Sequence, residues 1–153
     1  MTRGLISIAV AVALAVGASV AEAKVVKGTY RGKTSDGGKV ALKVDKSKSL
    51  VNVTRSNLLF RCSDGDRFRS LSSTSTGKVP IADGKFDISD TQPDDAVSWQ
   101  MTGSFNAKGT KIAGTYGETR RFNSKDRLDP KGSVTCQTGD LTYSARRVVK
   151  KRK

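Results

Sequence analysis

Catalysis in a chain of 153 residues needs a nucleophile with a base, or a pair of acids, and the supply here is short. Glu118 is the one glutamate after residue 23, and twelve aspartates accompany it. Two carboxylates set across a cleft would do general acid and base work. Most of the aspartates, among them Asp36, Asp64, Asp66, Asp83 and Asp140, adjoin Gly, Ser, Pro or another Asp, where the side chain closes a turn onto its own backbone. The sequence has no histidine. That excludes a Ser-His-Asp or Cys-His unit, a His-ligated zinc and a histidine pH switch. Asp64-Gly65-Asp66 and the acidic stretch from Asp83 to Asp95 offer oxygens to calcium, but neither has the twelve-residue spacing with a closing Glu, and both read as turns. Neither a phosphate loop nor a dinucleotide fingerprint occurs. The expectation is a protein that is not an enzyme and takes no metal or cofactor.

Two other residue sets carry chemistry. Cys62 and Cys136 are the only cysteines. An even pair in an exported chain reads as a disulfide, whereas a reactive thiol would want an activating His or a C-x-x-C spacing. The second set is cationic: 28 Lys and Arg against 14 Asp and Glu give a net charge of +14. Arg146, Arg147, Lys150, Lys151, Arg152 and Lys153 put six of these charges into the last eight residues. Lys27, Arg31, Lys33, Lys39 and Lys43 fall on outward positions of the first two strands. Arg120, Arg121, Lys125, Arg127 and Lys131 fall in what reads as a polar connection.

The elements that must position these residues are short strands. Val97, Trp99, Met101, Gly103 and Phe105 share one face of a period-two pattern, with Ser98, Gln100, Thr102 and Ser104 on the other. The same alternation runs through Val26–Gly32 and Val40–Val44, and in shorter form around Val51, Phe60, Phe86, Ile112 and Leu141. Asp36-Gly37-Gly38, Ala82-Asp83-Gly84-Lys85 and Asn106-Ala107-Lys108-Gly109 are the turns. Ser70–Gly77 and Ser89–Asp95 read as loops. Glycine stands two residues before an aromatic in Gly28-Thr29-Tyr30, Gly103-Ser104-Phe105 and Gly114-Thr115-Tyr116, which suits a strongly curved sheet. The predicted fold is all-β, an antiparallel small β-barrel or coiled sandwich of about eight to ten strands.

Ahead of it, residues 1–23 carry Arg3, an apolar run from Leu5 to Val16 and a closing Ala21-Glu22-Ala23, the pattern of a cleaved helical signal peptide. The run is shorter than the roughly 20 residues of a membrane span, so no span is expected after cleavage. Removing residues 1–23 takes away Arg3 and Glu22 together and leaves the net charge unchanged. The domains expected are a signal peptide over 1–23, one all-β domain over 24–145 and a basic tail over 146–153.

Gly-x-Tyr-x-Gly-x-Thr-Ser from Gly28 to Ser35, the central Cys62 and a closing Cys136-x-Thr138-Gly139-x-x-x-Tyr143-Ser144-Ala145-Arg146 resemble small exported β-rich proteins of actinobacterial type. The resemblance covers the two ends of the mature chain. It implies an exported protein with paired cysteines, and it implies no catalytic residue. The expected function is that of a secreted, extracellular or cell-wall-associated monomer whose basic residues attract anionic envelope polymers or lipid headgroups, with nucleic acid bound only non-specifically. The alternative is a β-barrel carrier of a small apolar ligand, or a protein-interaction module, with Trp99 in its interior.

Overall fold

A computed structural model describes residues 23–90 and 95–149. Lys150, Lys151, Arg152 and Lys153, and the expected signal peptide apart from Ala23, lie outside these described residues.

Period-two patterning dictates strands, and among the described residues there are eleven and no helix. They are β1 (Gly28–Thr34), β2 (Lys39–Val44), β3 (Ser49–Ser56), β4 (Leu59–Cys62), β5 (Arg67–Arg69), β6 (Ser73–Pro80), β7 (Lys85–Asp90), β8 (Val97–Phe105), β9 (Lys111–Phe122), β10 (Val134–Gln137) and β11 (Leu141–Arg147). Every pairing is antiparallel.

Eight strands follow one another as a coiled meander, β6-β3-β2-β1-β11-β9-β8-β7, in which the first strand pairs with the last. The twelve-residue β9 is long enough to take β11 along its first half and β10 along its second, with β8 on its other side. From β10 a short wing continues through β4 to β5. The sheet ends at β6 and β7, which do not pair, so it is not closed into a barrel. The sequence of β6, Ser-Thr-Ser-Thr-Gly-Lys-Val-Pro, accounts for this edge: Pro80 has no N–H, Lys78 is exposed, and the register against β3 shifts between Leu50 and Asn52.

Two expectations are corrected. Ser70–Gly77 is not all loop, since β6 begins at Ser73; as a mostly exposed edge strand it has no apolar face to alternate. Nor does the domain stop at residue 145. Arg146 and Arg147 are the last rungs of β11, paired to Arg31 and Tyr30.

The concave side holds the core, with Tyr30, Leu42, Met101, Ile112 and Ala145 fully buried and Trp99, Phe105 and Tyr143 nearly so. Its tight bend depends on missing side chains. A Cβ on Gly114 would collide with the backbone of Thr102, and one on Gly103 with the Phe86 ring and the Tyr143 hydroxyl. Phe86 thus occupies the space beside Gly103, the aromatic cover that the glycine spacing predicts. The same core continues under the wing, where the rings of Phe60 and Phe68 stack at 5.0 Å and Phe122 meets Phe68 edge-on. Cys62 and Cys136 are register partners on β4 and β10, with their sulfurs 2.06 Å apart, a disulfide distance.

Candidate functional site

In the eight-strand meander β1, β3, β7 and β9 start, and β2, β6, β8 and β11 finish, at the same end of the sheet. Hydrogen bonds tie that end together. Arg147 N–H donates to the Thr110 carbonyl at 2.9 Å and Val148 N–H to that of Thr29 at 2.8 Å. The Tyr30 hydroxyl reaches the carbonyls of Val26 and Gly109 at 2.6 and 2.8 Å, and burial raises its pKa against the lowering effect of Arg147. Residues 23–27 are thereby laid across this end, with Ala23 and Val25 packed on the core.

The charge found there is almost all positive. Lys24 and Lys27 precede β1, Lys46 and Lys48 form the β2–β3 turn, Lys108 sits in the β8–β9 turn, and Arg147 closes β11. All of these lysines are exposed. Asp45 and Asp83 are the acids at this end, and Asp45 is occupied locally. The backbone N–H of Ser49 and the Ser47 hydroxyl donate to it, and in that order they lower its pKa. The opposite end carries Asp36, Asp64, Asp66, Asp90, Asp126, Asp129 and Asp140, interspersed with Arg61, Arg67, Arg69, Arg121, Lys125, Arg127 and Lys131. Its charges are mixed. Cations therefore outnumber acids most clearly at the first end.

From the basic end, positive charge extends up the outer face of the sheet. Arg31 on β1 is the register partner of Arg146 on β11, which is in turn the partner of Lys111 on β9. Lys33 and Lys39 are opposite one another on β1 and β2. Neighbouring strands lie about 4.8 Å apart, and like charges set directly opposite destabilise a sheet. These outward positions are as the period-two reading placed them. The basic tail is partly reassigned, because Arg146 and Arg147 are strand residues, the first on the outer face and the second half-buried. The second cationic group is also divided: Arg120 and Arg121 belong to β9, while Lys125, Arg127 and Lys131 lie in the connection to β10.

Arg120 leads to a cluster that sequence reasoning missed. Glu118, 3% exposed, accepts from Arg120 Nε and Nη2, both at 2.7 Å, and from the Tyr116 hydroxyl. Arg55 Nε lies 3.8 Å from the same carboxylate, while Arg55 Nη1 donates to the Ser75 hydroxyl at 3.0 Å. Its guanidinium covers the Trp99 ring at 4.2 Å, and that of Arg120 covers Phe60 at 4.7 Å. Burial, then the Glu118 charge, pushes the Tyr116 phenol far up, so it stays a neutral donor. The signal was in the alternation. Val53 and Arg55 share a face, as do Tyr116, Glu118 and Arg120, so period two turns these charged residues toward apolar ones. Among the described residues Glu118 faces cations and a phenol, not a second carboxylate, and this is the geometry of an internal ion cluster.

A depression of about 390 Å³ opens beside the disulfide, between Phe68, Leu71, Phe122 and Val134. The acidic turn Asp64-Gly65-Asp66 borders it and is held as a turn, with Cys62 N–H donating to the Asp66 carbonyl at 2.9 Å. No family model, curated protein or solved structure matches the chain.

Proposed function

We propose that this is an exported, non-enzymatic binding protein that associates with anionic envelope polymers or lipid headgroups through the basic end of its sheet. One observation carries the reading: Lys24, Lys27, Lys46, Lys48, Lys108 and Arg147 are gathered at one end, while the aspartates are mostly at the other. Net charge alone would keep a protein soluble; segregated charge gives it a side to present. The like-charge row Arg31, Arg146 and Lys111 costs the sheet stability, a cost that an anionic partner would offset. Lys150, Lys151, Arg152 and Lys153 follow Val149 in the sequence. The cysteine pair accords with an oxidising destination.

The test is binding to a soluble poly(glycerol phosphate) over a salt series, with a chain ending at Val149 and a Lys46→Gln/Lys48→Gln variant beside the full mature chain. Affinity should fall steeply with salt and fall again with each charge removed. Affinity indifferent to salt and to both changes would overturn the reading.

The carrier alternative rests on the depression beside the disulfide and not on the sheet interior, where Tyr30, Leu42, Met101 and Ile112 occupy the centre.

A further inference from the structure

The basic end also carries exposed apolar residues. Val148 and Val149, 44% and 77% exposed, follow Arg147 where β11 leaves the sheet. Four large hydrophobic residues are conspicuously exposed among the described ones, and these two are the only adjacent pair; Leu71 and Leu128 stand apart in other connections. The Val148 N–H is held by the Thr29 carbonyl, so Val148 is fixed beside β1, with Val149 next to it in the chain. In sequence they sit between Arg146-Arg147 and Lys150-Lys151. The segment that carries Lys24 and Lys27 is joined to the same strand end, where Arg147 Nε donates to the Lys27 carbonyl at 3.1 Å.

From this placement we infer that the basic end docks on an anionic lipid bilayer, with Val148 and Val149 entering the headgroup boundary and the surrounding lysines meeting lipid phosphates. A soluble polyanion has charge for the lysines but nothing apolar for the valines. An anionic bilayer surface offers both, and two weak signals together hold a protein where either alone would not. The axis of the strands then stands toward the membrane, with the mixed-charge end away from it. Residue 23 lies at the docking end as well, placing both ends of the described chain at the lipid.

This inference rests on the polyanion reading, and one experiment separates the two. Full mature chain is sedimented with vesicles of phosphatidylcholine alone and of equal parts phosphatidylcholine and phosphatidylglycerol, and is titrated in parallel with soluble poly(glycerol phosphate). A Val148→Ser/Val149→Ser variant is compared with Leu71→Ser, which removes a still more exposed apolar residue at the other end. Docking predicts that the double variant loses about tenfold in partition to the anionic vesicles and nothing toward the soluble polymer, while Leu71→Ser changes neither. Equal partition of wild type and double variant would overturn the bilayer inference and leave polyanion binding standing. Absence of binding to both vesicles and polymer would overturn both. Retention of the far-ultraviolet circular dichroism of the wild type shows that the variants fold.

Discussion

The guanidinium of Arg55 lies 4.2 Å from the centre of the Trp99 ring, and its Nε stands 3.8 Å from the Glu118 carboxylate without a hydrogen bond of its own. One buried carboxylate thus serves two cations, and the aromatic faces of Trp99 and Phe60 supply the remaining negative potential. Glu118→Ala would strand the buried guanidinium of Arg55 and leave the half-buried one of Arg120 without its counter-ion. Its expected cost is about 3–5 kcal/mol in urea unfolding. Arg55→Met, which keeps the volume and removes one excess charge, should cost far less. A near-neutral Glu118→Ala would contradict the ion-cluster description.

The cysteine pair closes a span of 74 residues. On the chain-entropy model, Cys62→Ser with Cys136→Ser should lower stability by about 4 kcal/mol. Because the pair joins β4 to β10, the loss should be accompanied by faster amide exchange in the wing than in β1, β2 and β11. Uniform exchange across the sheet would count against this.

Asp36 is a pH-sensitive tie. Its burial opposes ionisation, but the Leu59 and Gly38 N–H groups at 2.7 and 3.1 Å and the Thr34 hydroxyl lower its pKa overall, helped by Arg69. A carboxyl depressed in the folded state contributes stability above its unfolded pKa, and this is lost as pH falls through the folded value. The stability of the wild type should therefore drop on acidification below about pH 4. Asp36→Asn should be less stable at neutral pH and show a shallower acid limb. Parallel limbs in the two proteins would rule Asp36 out as the source.

Outer-face charge predicts a trade between fold and binding. Arg146→Thr breaks the row Arg31, Arg146 and Lys111 and should stabilise the sheet by about 0.2–1 kcal/mol. The same change should weaken binding to poly(glycerol phosphate). Thermal unfolding at low salt and polymer titration of one preparation report both; a destabilised variant would show that the row is not repulsive.

Curvature predicts two opposite glycine substitutions. Gly114→Ala drives a methyl group into the backbone of Thr102 and should abolish folding or cost several kcal/mol. Gly77, on the exposed β6, has nothing within reach of an added Cβ and ordinary φ, so Gly77→Ala should be neutral or slightly stabilising.

Alternation makes the interior legible in the sequence. Trp99, Met101 and Phe105 point inward as read, Arg31 and Lys33 outward, and the Asp-Gly and Asn-Ala-Lys-Gly turns fall between strands. What was not legible depended on contacts distant in sequence. Ser73–Pro80 has no amphipathic pattern because it packs by one edge only. Arg120 reads as a loop cation because its aromatic partner Phe60 becomes its neighbour only when β9 meets the wing. The basic end is assembled from four separate stretches of chain, so the terminal run of Arg and Lys is readable and its neighbours Lys24, Lys46 and Lys108 are not.

The sheet's break falls mid-sequence, between Pro80 and Lys85, while its sequence ends are zipped together where β1 meets β11. Such a chain is circularly permutable in principle. Joining residue 149 to residue 23 and cutting at Asp83-Gly84 gives a molecule that begins with β7 and finishes with β6, each already an edge. The natural order has the opposite property. β1 waits more than a hundred residues for its second neighbour, so the coil cannot be fastened until almost the whole polypeptide is available.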